Sequence, residues 1–531
     1  MKIRLPLYVF SILIAAFACH AEVRLNKVFT DHMVLQRDIP VKIFGTGDVG
    51  ELVTIQFGGQ KETTRVKGDG HWLVKLKAMP ANKTPRKLRV NDTSLSNILV
   101  GDVWICAGQS NMAGMLRSYI KYGDGTFKEF RNEPGDYRND EIRFFTVPMT
   151  PSDAPLADLA ESAEWQVCTP DSAVDFSCAG YFFGKYLQPQ VGVPIGLIKS
   201  AVGGTGLVSW LPLEAMENNP VAERIYLNPY RKALERYSDR ERDYQDALAK
   251  FKAKSKTERA AAKAPQVPMG PNHFKRPAAL YNGMISPLHN LAIKGAIWYQ
   301  GENEGNGGRS EEYKTTFPLI IETWRQRWSQ GNFPFIFVQL AAFRKPQETP
   351  SDPQWARLRD AQLYTLKTVP ATGMAVAIDG GLVKNIHPPY KELVGKRLAA
   401  EALRVAYGSE KISQGPLYKS MKVNGNQTLI RFDNVGSGLE ARDRLLDAYG
   451  ESPIRLSGKT LKGFTIAGED RVFHPAKATI QDKLVVVESK HVKQPVAVRY
   501  AWAEFPLCNL YNKEGFAAPP FRTDDWPASG K

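Results

Sequence analysis

Gly101-Asp102-Val103-Trp104-Ile105-Cys106-Ala107-Gly108-Gln109-Ser110-Asn111-Met112 runs as an apolar strand into a glycine turn and then a serine. A continuous apolar run of this length bounded by Gly predicts a buried strand of a parallel sheet, with a helix opening at the serine. Ligand sites of open α/β sheets lie outside the carboxyl ends of their strands, and this serine would stand at one. There its hydroxyl is held up at the sheet edge. Its own N–H and the start of the helix would face any negative charge that forms on a ligand. The stretch is not the GxSxG elbow of the α/β-hydrolases, because Met112 stands where the second glycine belongs. By itself a serine at a strand–helix turn is usually a helix cap, and that reading holds without further evidence.

Outward from this stretch the pattern repeats. Apolar segments at residues 103–106, 195–198, 296–299, 335–340 and 374–378 alternate with helical stretches, which predicts an α/β domain over residues 99–412. Residues 22–98 read as short strands with Gly-Asp turns, for instance Val41-Lys42-Ile43-Phe44, Val53-Thr54-Ile55-Gln56-Phe57 and His71-Trp72-Leu73-Val74-Lys75-Leu76. Residues 413–531 return to strands, as at 428–432 and 484–488. Both flanks are expected to be β-sandwich-like modules. A helical insertion is expected at 220–275: no Gly or Pro falls between Tyr230 and Ala264, and Tyr230, Leu234, Tyr237, Tyr244, Leu248 and Phe251 form one apolar seam on a charged helix. Such a seam marks packing on its own domain, or a lid or partner arm.

The first 21 residues have the layout of a signal peptide. Lys2 and Arg4 precede an apolar run that is too short to span a bilayer, followed by small residues. An exported protein, periplasmic or extracellular, with no integral membrane segment is the expectation. A lipid anchor at Cys19 is the rival reading. The formal charge is +15, but the Lys and Arg residues are scattered among acids with no basic stripe, which argues against nucleic acid as a partner. Cys168 and Cys178 are spaced to close a short loop, and Cys106 reads as core. No CxxC or HExxH occurs, so neither a catalytic metal nor a cofactor is expected.

A second chemical signal comes late. Ile386-His387-Pro388-Pro389-Tyr390-Lys391 puts a histidine on a rigid turn before a well-patterned helix that stops at Gly408. A serine early and a histidine late, both beyond strand ends, fit a nucleophile with its general base.

Gly-Gln-Ser-Asn-Met around Ser110, Ser200-Ala201-Val202-Gly203-Gly204-Thr205, Ile297-Trp298-Tyr299-Gln300-Gly301-Glu302 and Ile386-His387-Pro388 form an ordered series of blocks along the chain. In these blocks the chain resembles the sialate O-acetylesterase family of SGNH hydrolases. Weaker blocks lie at residues 28–37, 280–285, 498–502 and 521–526. The resemblance implies a flavodoxin-like three-layer α/β/α domain. It also implies cleavage of acetyl esters from sialic acid or another O-acetylated glycan, without metal or cofactor.

Ser110 would attack, His387 would take its proton, and the oxyanion would be held by the Ser110 and Gly204 amides with a side-chain amide from Gln300 or Asn303. Relatives carry an Asp two or three residues before the histidine, where this chain has Lys384 and Asn385. Glu302 is the first candidate to replace that acid, and Asp379 the second. The alternatives are a Ser–His dyad, a deacetylase of xylan or another plant polysaccharide, and a catalytically silent glycan-binding protein. No arginine can be assigned to a sialate carboxylate from the sequence.

Overall fold

The computed structural model describes residues 23–120, 138–347 and 349–527, so the expected signal peptide and Cys19 lie outside the described residues. The apolar runs form a twisted sheet whose strands are β1 (Thr93–Gly108), β2 (Asn139–Thr146), β3 (Gln166–Cys168), β4 (Ile195–Ala201), β5 (Gly295–Tyr299), β6 (Phe335–Gln339) and β7 (Thr372–Val376). Their order is β3-β2-β4-β1-β5-β6-β7. All are parallel except β3, which pairs antiparallel with β2 at the edge. After β1 the chain winds to one side of it and then crosses to the other, so β1 sits at a topological switch point. β4 to β7 are apolar and almost entirely buried, as expected for strands covered on both faces.

Helices cover this sheet. α1 (Ser110–Ala113) is a single turn, shorter than the helix that the sequence predicts at the serine. α2 (Cys178–Val191) packs against α5 (Lys391–Tyr407), while α3 (Tyr313–Trp328) packs against α4 (Gln354–Thr368). The α2–α5 approach is close. A Cβ on Gly395 would lie 2.3 Å from Cβ of Phe182, so only glycine lets the two helices seat together.

β1 also joins two modules. Its first half pairs with Val34–Gln36 and Asn82–Val90 of the N-terminal strands, so the expected junction at residues 98/99 lies inside one continuous strand. Asp102 sits where the halves meet. Its carboxylate accepts from Arg37 at 3.0 and 3.1 Å, Gln36 at 3.0 Å and the Tyr407 hydroxyl at 2.9 Å. Residues 417–522 form two further four-stranded sheets and two short ribbons. The chain is thus a mixed α/β protein with additional β-rich modules at both ends.

Two local expectations need correction. The helix expected across 230–264 is three helices, Asn228–Glu235, Tyr237–Ala253 and Lys256–Ala261, and none of their side chains is buried. Arg236 leaves helical geometry at ψ 12°, and Ser255 starts a new helix through a capping box with Glu258. The expected Cys168–Cys178 bridge is not formed. Both are buried thiols, with the capped helix Pro170–Asp175 between them. Burial pushes the Cys168 thiol up to about 12.

Candidate active site

Ser110, Gly203, Gly204, Glu302 and Asn303 all follow the carboxyl ends of β1, β4 and β5, the strands that flank the switch point. Gly108 makes the turn possible: its φ is +136°, and a Cβ there would lie 2.2 Å from the Tyr299 carbonyl oxygen. The peptide after it is pinned by the Gln109 amide, which donates to Tyr299 O at 3.0 Å. His387 arrives from the other end of the domain, on the loop that follows β7 and precedes α5. Its Nε2 stands 2.8 Å from Ser110 Oγ, across 277 positions of sequence. Both side chains are half-buried, so the pair is reachable from solvent.

The Gly203-Gly204 turn forms a wall beside Ser110. A Cβ on Gly203 would come within 3.6 Å of Ser110 Cβ, and Gly204 takes a left-handed φ of +71°. The Asn303 side chain donates to Gly204 O at 3.3 Å, and its own amide N–H donates to the Gln109 side chain at 3.3 Å. Arg309 donates to Asn303 Oδ1 at 2.8 Å, which fixes the Asn303 NH₂ toward the glycine turn. Among the described residues the Ser110 and Gly204 amides donate to no protein acceptor. Asn303 is tied to both the glycine turn and the residue before Ser110. Gln300 is placed differently: its NH₂ donates to Glu304 and, at 3.5 Å, to Thr205 O, while its Oε1 accepts from the Tyr313 hydroxyl at 2.9 Å. It is fully buried beneath the site and spent on holding the loops together.

The two candidate acids have different fates. Glu302 is 2% exposed and accepts from the Asn111 side chain, which also donates to Ile386 O at 3.1 Å. It therefore braces the residue before His387 through Asn111. Burial pushes the Glu302 carboxyl up to about 6, against the opposing pull of Asn111 and Lys391. Asp379 lies on a salt bridge instead. Arg397 donates to its two oxygens at 2.6 and 2.8 Å, the Tyr511 hydroxyl donates at 2.6 Å, and Arg444 stands 3.6 Å away. Asp379 is thus a structural anchor between α5 and the C-terminal module, not a partner of the imidazole. Among the described residues the His387 ring has no carboxylate partner. Asn385, in one of the two places where relatives have the acid, accepts the His387 backbone N–H at 2.9 Å. Lys384 is exposed and paired with Glu451.

Sequence reading missed Lys391. It is fully buried and donates to Asn111 Oδ1 at 2.6 Å and Pro388 O at 2.7 Å, with the Tyr119 and Tyr299 rings at 5.0 and 5.4 Å from its ammonium. Burial lowers it to about 8. Burial, and then the Lys391 charge, also push the His387 imidazole below its ordinary value. Its spacing of four from His387 was visible, but nothing in a Pro-Pro-Tyr-Lys run marks a lysine as buried. Among the described residues no group of three or more His, Cys, Asp or Glu is placed to hold a metal ion.

Comparison with known proteins matches this architecture to a described family. The family model for carbohydrate esterase, sialic acid-specific acetylesterase, matches residues 100–262 and 269–404, more than half of the chain. The chain belongs to this family. The sialate O-acetylesterase of Rattus norvegicus is 29% identical over 94% of each chain, and that of Homo sapiens is 27% identical over 94% of this chain and 92% of its own. The crystal structure of a carbohydrate acetylesterase from Xanthomonas citri superposes with a TM-score of 0.76 at 32% identity, covering 95% of this chain and all of that one. As a member of the sialic acid-specific acetylesterase family, the protein is a carboxylic ester hydrolase that deacetylates carbohydrate. The family match takes in β1 from residue 100, the glycine turn and β5 with Glu302, as well as His387 and α5 to residue 404.

Proposed function

We propose that this esterase is an exported SGNH hydrolase that removes O-acetyl groups from sialic acids or related glycans by a Ser–His mechanism. The observation that carries the reading is the 2.8 Å contact between Ser110 Oγ and His387 Nε2, with the Ser110 and Gly204 amides donating to no protein acceptor among the described residues. Ser110 Oγ attacks the acetyl carbonyl carbon while His387 Nε2 takes the hydroxyl proton. The oxyanion is received by the Ser110 and Gly204 N–H groups and the Asn303 amide. Collapse of the tetrahedral intermediate returns the proton from His387 to the departing sugar oxygen. A water activated by the same imidazole then releases acetate and regenerates the serine.

Glu302 acts through Asn111 as the brace for the His387 loop. Export rests on the signal layout of residues 1–21. No helix among the described residues is long and apolar enough to cross a membrane.

The test is acetate release from an O-acetylated sialoglycan and from an aryl acetate by wild type and by Ser110→Ala. A loss of about a thousandfold or more in kcat with an unchanged melting curve is expected. Near-normal turnover by the variant would end the serine mechanism.

A further inference from the structure

The rim of the Ser110 site carries a cation that ester cleavage leaves unused. The Gly203-Gly204 wall is exposed, and its outer side faces Lys275: a Cβ built on Gly204 would lie 3.1 Å from Lys275 Nζ. Ser110, the glycine turn and Lys275 therefore stand in sequence from the nucleophile outward. The Lys275 backbone is held firmly. Ser209 Oγ donates to its carbonyl at 3.1 Å, its amide donates to His273 Nδ1 at 3.1 Å, and the next residue, Arg276, pairs with Asp153 at 2.6 Å. The ammonium, by contrast, has no carboxylate partner among the described residues. Its described neighbour is an aromatic face: Nζ lies 5.3 Å from the Phe274 ring centre, and the His273 ring stacks on Phe274 at 10° with centres 5.2 Å apart.

An acetyl group is neutral, and the oxyanion forms on the inner side of the glycine wall. A fixed cation on the outer side meets the remainder of the alcohol. An aromatic pair beside an unpaired ammonium matches a sugar ring that offers an apolar C–H face and a carboxylate. A lysine suits that task as a compact point charge on a flexible stem. The helical insertion supports the same loop, because Gly270 is packed on the Tyr237 ring so tightly that a Cβ there would come within 1.9 Å of it.

We propose that Lys275, with Phe274 and His273, forms a subsite that reads the carboxylate of an acidic sugar and so sets the discrimination of this site between carboxylated and neutral acetylated sugars. This rests on Ser110 and His387 being the reacting pair.

The experiment compares kcat/KM of the full chain on an O-acetylated sialic acid, an O-acetylated galacturonide and a neutral acetylated xylo-oligosaccharide. The proteins are wild type, Lys275→Met, Lys275→Glu and Lys275→Arg. In Lys275→Met the ratio of carboxylated to neutral substrate is expected to fall about tenfold, carried by KM, which is the scale of a charged hydrogen bond at a half-exposed site. Lys275→Glu should lower it further and Lys275→Arg should restore most of it. The wild-type preference should also shrink as salt is raised. Whichever acidic substrate shows the loss identifies the source of the carboxylate.

An unchanged ratio in both Lys275→Met and Lys275→Glu overturns the subsite. So does an equal fall on all three substrates carried by kcat. Failure of the underlying reading looks different, since Ser110→Ala would then keep its turnover of a neutral aryl acetate.

Discussion

Replacing Asp379 by Asn separates an anchor from a catalytic acid. Asp379 and Arg397 have side chains only 2% and 6% exposed, and the pair is closed by two hydrogen bonds of 2.6 and 2.8 Å. The amide keeps the shape of the carboxylate but not its charge, which leaves the Arg397 guanidinium buried without a counter-ion. Breaking a buried pair in this way costs about 3–5 kcal/mol. A cooperative unit of ~200 residues loses about 2–4 °C per kcal/mol, so the melting temperature should drop by on the order of 10 °C.

Burial alone would raise the Asp379 carboxyl, but Arg397, Arg444 and Tyr511 outweigh it and hold the group well below the usual carboxylate range. Stability from a depressed carboxyl is present above its unfolded value of about 4 and is lost as pH falls below that. The variant should therefore differ most from wild type near neutral pH and converge with it in acid. The assay is thermal unfolding at neutral and acidic pH, paired with kcat measured well below the melting transition. A kcat within about tenfold of wild type is expected. A thousandfold loss of kcat with an unchanged melting temperature would refute the anchor and make Asp379 the missing acid.

His387→Ala should lower kcat by about a thousandfold or more, and adding it to Ser110→Ala should cost little further, because the two act as a unit; additive losses would contradict this. Glu302→Gln should lower kcat by about ten- to a hundredfold, since the carboxylate braces the His387 loop through Asn111 without touching the ring. A loss on the order of ten-thousandfold would instead mark a direct partner of the imidazole. The acidic limb of kcat/KM should lie below pH 6.5, because burial and the Lys391 charge favour the neutral imidazole. A limb above that value would mean a carboxylate partner that raises His387.

The sequence by itself determined the elements and pointed to where reactive groups gather. Buried parallel strands need continuous apolar runs, so residues 103–106, 195–198, 296–299, 335–340 and 374–378 were legible as strands to within two residues at the ends of the last two. Ser110 was legible because it sits at a Gly turn just beyond such a strand, and His387 because Pro388 and Pro389 mark its turn before a well-patterned helix. Helix breaks were harder. The seam at residues 230–251 keeps helical spacing straight through Arg236, where backbone geometry rather than apolar pattern interrupts it.

Only the tertiary structure decided what each polar side chain is for. Glu302 and Asp379 were the first and second candidates for the acid, yet Asp379 meets Arg397 and Tyr511 while Glu302 meets Asn111. Gln300 looked as good a donor as Asn303 until burial committed it to Glu304 and Tyr313. Lys391 opens α5 and Lys275 stands in a loop, yet both follow turn-forming stretches of sequence; one is sealed under the histidine and the other left on the rim. A side chain's partner is set by whichever donor or acceptor packing brings within about 3 Å. The decisive partners here lie as far as 280 positions apart. Hydrophobic periodicity carries no information over that distance, because it reports which face of an element is buried and not what waits on the other side.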